Sequence, residues 1–331
     1  MVPGAAESHE LQRTIDALHS RYKPLTDGDV ASYIPELTKA NPEDFGICIA
    51  TAEGAVFQTG DCDRTFTIQS ISKPFTFGMA IEAYGAETVA KYVGVEPSGD
   101  VFNSIELMSG SNRPHNPMIN AGAITVSALL HARYGDEAFD LILERFSTAA
   151  GRRLRIDPDV YESERRTGHR NRAIAHLLLN FGLVHDAAER ALDVYFKQCS
   201  ILVTCRDLAM MGATLANMGK HPLTGAQAYD VPSVRSMLSI MFTCGMYDYS
   251  GEWAYRVGVP AKSGVAGGVM AVVNRQMGMA TYSPRLDARG NSHRGIQVCT
   301  ELASRFGLHA FDCWNSGSSF LDAVLDRKSV V

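Results

Sequence analysis

The chain has 331 residues, 46% hydrophobic and 20% charged, enough to bury one or two sizeable cores, which excludes a disordered or a small disulfide-stapled protein. Lys+Arg 31 against Asp+Glu 36 gives a formal net charge of -5 with no basic stripe along a helix face, so no nucleic-acid partner is expected. Glycine (29) and proline (13) are scattered without repeat or low-complexity tract, which excludes fibrous and solenoid readings.

Met1 to Glu10 carries neither the positive nor the apolar region of a secretory leader, so a cytoplasmic location is expected. The longest apolar stretches, Ile119 to Leu130 and Val265 to Val273, are shorter than the roughly 20 residues a membrane span needs. No membrane partner is expected. The seven cysteines, Cys48, Cys62, Cys199, Cys205, Cys244, Cys299 and Cys313, are odd in number and form no C-x-x-C pair. They read as buried free thiols, not as a disulfide framework or a zinc site. His115, His169, His176 and His185 lack metal-ligand spacing, so no metal is expected.

In chain order, Leu11 to Tyr22 is amphipathic. Phe45 to Ala50 and Val56 to Thr59, flanking Glu53-Gly54, predict a β-hairpin. Helical periodicity dominates from Ser70 to Met241, with Ala138-Phe139-Leu141-Ile142 and Ala173-Ile174-Leu177-Leu178 each marking one helix face. A second strand zone is expected to begin near Trp253 and to include Gly268 to Asn274 and Gly278 to Tyr282, with Leu302 to Phe306 in a final helix. Two small separate sheets would each be marginal, so the terminal strands are expected to pair into one antiparallel sheet. The predicted fold class is mixed α/β (α+β), one domain over residues 1–331. A sheet lobe comes from 1–69 and 250–331 and a mainly helical lobe from 70–249, with a site between them.

Ser70 and Lys73 in Gln69-Ser70-Ile71-Ser72-Lys73-Pro74 lie one helical turn apart, which offers a weak hydroxyl nucleophile a neighbouring base. By itself S-x-x-K is common. Downstream, Lys262-Ser263-Gly264-Val265-Ala266-Gly267-Gly268 precedes a strand and offers small residues and backbone N–H groups to a ligand. It is no phosphate loop, because Arg256 and Ala261 stand where glycines would be needed. S-x-x-K followed by K-S-G resembles the serine β-lactamase and penicillin-binding protein superfamily, although no S-D-N, S-x-N or Y-x-N intervenes.

Seven blocks in order carry a closer resemblance, to the serine-dependent glutaminases of the same β-lactamase-like fold. They are Tyr33 to Leu37, Gln69 to Phe75, Asn116 to Ala123, Tyr161 to Glu164, Arg170 to Ala173, Tyr195 to Ser200, and Cys244 to Asp248 followed by Lys262 to Val265. Ala266, where many relatives have Gly, is a small departure; the chain resembles the compact bacterial form. The resemblance implies hydrolysis of L-glutamine to L-glutamate and ammonia without a cofactor, in a homo-oligomer (dimer or tetramer). It implies Ser70 as nucleophile, Lys73 as proton acceptor and Tyr247 as the proton-transferring tyrosine. Backbone N–H groups of Ser70 and Val265 would hold the oxyanion. Glu164 would pair with the substrate ammonium, Asn120, Asn171 and Tyr195 would hold its α-carboxylate end, and Tyr33 would complete the wall. Ser72 reads as a packing or capping residue, and Lys262 and Ser263 as supports of the oxyanion strand. Two other readings stay open: a β-lactamase or D,D-peptidase-like acyl transferase, with Glu164 as deacylating base, and a non-catalytic glutamine- or glutamate-binding protein.

Overall fold

The structure, a computed structural model, describes residues 5–99, 105–184 and 188–312. Cys313, His185 and the first four residues of the expected leaderless terminus lie outside them. In chain order the first elements are α1 (Ala5–Tyr22), β1 (Asp29–Val30), β2 (Gly46–Thr51), β3 (Val56–Gly60) and β4 (Phe66–Thr67). The helical middle holds α2 (Lys73–Tyr84), α3 (Ala86–Val89), α4 (Asn120–Tyr134), α5 (Ala138–Ala150), β5 (Arg155–Ile156), α6 (Pro158–Thr167), α7 (His169–Asn180), α8 (Ala188–Cys199), β6 (Ile201–Val203), α9 (Cys205–Ala216) and α10 (Val231–Cys244). Then come α11 (Ser250–Arg256), β7 (Ala261–Ser263), β8 (Gly268–Val273), β9 (Met277–Tyr282), β10 (Arg285–Leu286) and α12 (His293–Phe306).

The expected hairpin is present, and the terminal strands do share one antiparallel sheet in the order β3-β2-β9-β8-β7. The two ends of the chain meet where Cys48 pairs with Ala280 and Ile47 with Thr281. Strands β2, β8 and β9 are buried throughout, and their alternation feeds two cores. Ile47, Ile49, Val269, Ala271 and Met279 face Ile15 and Leu18 of α1 and Val298 and Leu302 of α12. Cys48, Ala50, Met270 and Val272 face the other way, into the core that holds Leu208, Met211 and Leu215 of α9. Helix α9 approaches closely at one point, because a side chain on Gly278 would stand 2.2 Å from the Ala209 carbonyl oxygen. Its start is fixed by a capping box in which Thr204 accepts from the Asp207 N–H and Asp207 accepts from the Thr204 N–H.

Two sequence readings need correction. Trp253 does not open a strand zone; it sits in helix α11, fully buried, with its indole N–H donating to the Val259 carbonyl at 2.7 Å. Core filling and that single bond override the strand preference of an aromatic residue. The middle stretch also contains strands, since β4, β6 and β5 form a three-stranded sheet with Thr67 opposite Leu202 and Ile156 opposite Ile201. Strands of two or three residues leave no measurable period in a sequence. This small sheet matters for the site: Ile68 N–H donates to the Ile201 carbonyl at 2.8 Å and delivers the chain to Gln69 and Ser70.

Candidate active site

Ser70 lies in a 3-10 turn, Gln69–Ser72, that leads directly into α2, where Pro74 occupies the first turn without losing a hydrogen bond. The turn begins under strain. Gln69 has φ of 48°, a left-handed conformation that costs a non-glycine residue about 1–3 kcal/mol and must be held by its surroundings. The segment after β7 runs close by: a side chain on Gly264 would come within 3.1 Å of the Ile68 carbonyl oxygen, so the glycine of K-S-G eases the approach of the two backbones there.

Lys73 Nζ lies 3.1 Å from Ser70 Oγ and donates to Asn120 Oδ1 at 2.8 Å. Both residues are buried. Burial pushes the Lys73 ammonium down to about 8, against the opposing pull of Cys199 and Glu164. The same 3.1 Å contact therefore serves either direction, the ammonium donating or the neutral amine accepting. Asn120 opens α4 and its Oδ1 also accepts from Tyr195 Oη at 3.1 Å. Its Nδ2 donates to Asn171 Oδ1 at 3.0 Å, and Asn171 Nδ2 donates to Tyr33 Oη at 3.0 Å. One continuous network thus runs from Ser70 through Lys73, Asn120 and Asn171 to Tyr33.

Glu164 reaches this region from α6, whose only buried residues are Val160 and Glu164, four apart on one face. Glu164 is 2% exposed, and its Oε2 has no hydrogen-bond partner. Burial raises its carboxyl to about 7, and the Lys73 charge acts in the opposite sense. An unpaired buried carboxylate oxygen is costly to keep, and it suits a cation that arrives with a ligand. Tyr247 follows the end of α10 with φ of 57°. Its hydroxyl donates to the Ser263 carbonyl at 3.1 Å and is hydrogen-bonded to Ser70, which lowers a phenol pKa that burial raises.

Ser70, Lys73, Tyr33, Asn120, Glu164, Asn171, Tyr195 and Tyr247 therefore converge from segments far apart in sequence. Val265 stands at the edge, in the turn closed by the Gly267 N–H to Gly264 carbonyl bond of 2.9 Å. Together with Tyr33 and Asp248 it lines a hollow of about 570 Å³. Asn120 does more than sequence reasoning assigned, because it holds the Lys73 amine directly. Lys262, read as a strand support, is fully buried, donates to the Ser263 carbonyl at 2.7 Å and sits 4.2 Å from the Tyr247 ring centroid. Burial drives its ammonium well below the usual range. Gln198 and Ser127 were missed, although Gln198 follows Tyr195 by three residues on α8 and Ser127 follows Asn120 by seven on α4, spacings that keep each pair on one face.

An antiparallel sheet covered on both faces, with a buried Ser-Lys pair between it and a helical stretch, defines the β-lactamase-like fold class. The structural comparisons agree. Mglu in its glutamate form superposes with a TM-score of 0.85 at 44% identity, covering 89% of this chain and 68% of that one. A probable glutaminase of Bacillus subtilis superposes with a TM-score of 0.85 at 35% identity, covering 91% and 98%. The family model described as Glutaminase matches residues 28–311. A glutaminase of Trichormus variabilis is 54% identical over 92% of this chain and 91% of its own length. The chain belongs to the glutaminase family. Among the described residues, no helix is long and apolar enough to cross a membrane.

Proposed function

We propose that this chain hydrolyses the side-chain amide of L-glutamine to L-glutamate and ammonia through an ester on Ser70. The observation that carries the reading is the buried Ser70-Lys73 pair at 3.1 Å, set in one network with Asn120 and Asn171. Neutral Lys73 takes the Ser70 proton as Oγ attacks the amide carbon, a role that its lowered pKa makes accessible near neutral pH. The oxyanion is received by the N–H groups of Ser70 and Val265. Tyr247 passes the proton to the leaving nitrogen, the C–N bond breaks and ammonia departs. Water then attacks the ester, its proton returns through the same groups, and glutamate leaves with Ser70 restored. Glu164 pairs with the α-ammonium, and Asn120, Asn171, Tyr195 and Tyr33 receive the carboxylate end. These assignments draw on the family pattern together with the distances above.

The domain reading is retained as part of the proposal: one unit, with the site between the sheet elements and the helical stretch. We also read the protein as a cytoplasmic homo-oligomer. Six free, buried cysteines among the described residues support a reducing compartment, and the oligomer rests on the family resemblance. The testing experiment is ammonia release by the purified chain from L-glutamine, with L-asparagine as control. Release from glutamine, far faster than from asparagine, is expected; no release from glutamine would overturn the reading.

A further inference from the structure

Behind the nucleophile lies a second chain of hydrogen bonds, which meets the substrate-binding network through Cys199, hydrogen-bonded to both Ser72 and Tyr195. Ser127 Oγ, which donates to the Ala123 carbonyl at 3.0 Å, lies 3.3 Å from Gln198 Oε1; Gln198 Nε2 donates to Ser72 Oγ at 3.3 Å, and Ser72 Oγ donates to the Gln69 carbonyl at 2.7 Å. Ser127, Gln198 and Ser72 are each fully buried. Buried amides and hydroxyls are expensive unless paired, and apolar residues of the same size would fill this space at less cost. Packing alone does not explain the choice.

The last acceptor in the chain does. The Gln69 carbonyl and the Ser70 N–H belong to one planar peptide unit, so fixing the carbonyl fixes the direction of that N–H. Gln69 is also the residue held at φ of 48°, a conformation that relaxes unless something retains it. The strand side of the turn is anchored by the Ile68 to Ile201 bond, and the Ser72 hydroxyl anchors the helix side. We infer that Gln198, acting through Ser72, is a positioning residue for the reaction: it clamps the Gln69-Ser70 peptide so that the Ser70 N–H points at the oxyanion and Oγ points at Lys73.

The inference rests on Ser70 being the nucleophile, and the test separates the two. An oxyanion donor acts in the transition state and hardly in the ground state, so its misalignment lowers kcat and leaves KM nearly unchanged. Ser72→Ala and Gln198→Met are compared with wild type and Ser70→Ala for ammonia release from L-glutamine, after thermal melting has shown which variants fold. Each folded variant is expected to lose at least tenfold in kcat with KM within twofold. The double variant Ser72→Ala/Gln198→Met is expected to fall close to the worse single one, since both act on the same carbonyl. Where Gln198→Met does not fold, Ser72→Ala decides alone. A kcat within twofold of wild type, a loss confined to KM, or single losses that multiply in the double variant would overturn the inference. If Ser70→Ala is inactive in that case, the nucleophile assignment survives. Turnover by Ser70→Ala would instead overturn the nucleophile assignment itself.

Discussion

Burial sets the chemistry of Lys73 and Glu164 before any partner does, and it moves both toward neutrality, to about 8 and about 7. The proposed mechanism needs Lys73 neutral and Glu164 ionised, so both requirements are met by raising pH. For glutamine, kcat/KM is therefore expected to climb between about pH 6 and 8.5, with a slope above one at the acid end, as a pH-rate series reads directly. A profile that falls over that window would contradict it. Glu164→Gln should weaken glutamine binding by roughly 1.5–3 kcal/mol, measured by calorimetry in a Ser70→Ala background. The same change should stabilise the fold at pH 8. The folded carboxyl titrates near 7 and an unfolded one near 4.5, so the folded state gives up stability as pH rises between those values. That loss is roughly 3 kcal/mol at pH 8 and is absent below about pH 4.5. Melting curves of wild type and Glu164→Gln should therefore diverge at pH 8 and converge under acid. Unchanged affinity in that background, together with accumulation of an acyl-enzyme by Glu164→Gln with Ser70 intact, would instead assign Glu164 to deacylation. Tyr247→Phe keeps the ring and removes the hydroxyl that meets Ser70 and the Ser263 carbonyl. It should lower kcat far more than it raises KM; the reverse split would make Tyr247 a binding group.

At the scale of elements, α9 packs on the sheet and follows directly from β6, the strand to which the approach to Gln69 is bonded. The contact is made by glycine on both sides, Gly212 on the helix and Gly278 on β9, where an added Cβ would stand 3.0 Å from the Gly278 Cα and 2.2 Å from the Ala209 oxygen respectively. Both latter obstacles are backbone atoms. Gly278→Ala should therefore destabilise the protein by about 3 kcal/mol or more in chemical denaturation, the upper range for overpacking, and a loss below about 1 kcal/mol would show that helix and sheet slide freely. The hairpin, the pairing of the terminal strands and the long helices were legible in the sequence: two short apolar runs flank the Glu53-Gly54 turn, small separate sheets would each be marginal, and the helices carry their own periodicity. The strand at Trp253 was misread, since one aromatic residue carries no period. The small β4-β6-β5 sheet escaped because Phe66-Thr67 and Arg155-Ile156 are too short to show one. Among site residues, those within recognised blocks were found, whereas the Lys73-Asn120 bond and the Gln198-Ser72-Gln69 chain join segments 47 and 126 residues apart. Nothing in local spacing reports such contacts.

For the whole molecule, the pairing of β2 with β9 closes the chain on itself and brings together residues from Tyr33 to Val265. Ser70 is delivered by a turn anchored to β6, Lys73 by α2, Asn120 by α4, Glu164 by α6, Asn171 by α7, Tyr195 by α8 and Tyr247 by the turn after α10. The site therefore draws on residues 33–265, and no single element holds both the nucleophile and its substrate-binding partners. Such non-local pairing also implies slower folding than a helical protein of equal length. The claim on which the account turns is a covalent intermediate at Ser70. Rapid quenching of wild-type protein with L-glutamine, followed by intact and peptide mass spectrometry, should show a transient glutamyl adduct on the peptide containing Ser70, formed as ammonia is released. Ser70→Ala should show neither adduct nor release. An adduct on another residue, or Ser70→Ala keeping more than about a tenth of wild-type activity, a loss under roughly 1.4 kcal/mol, would contradict it.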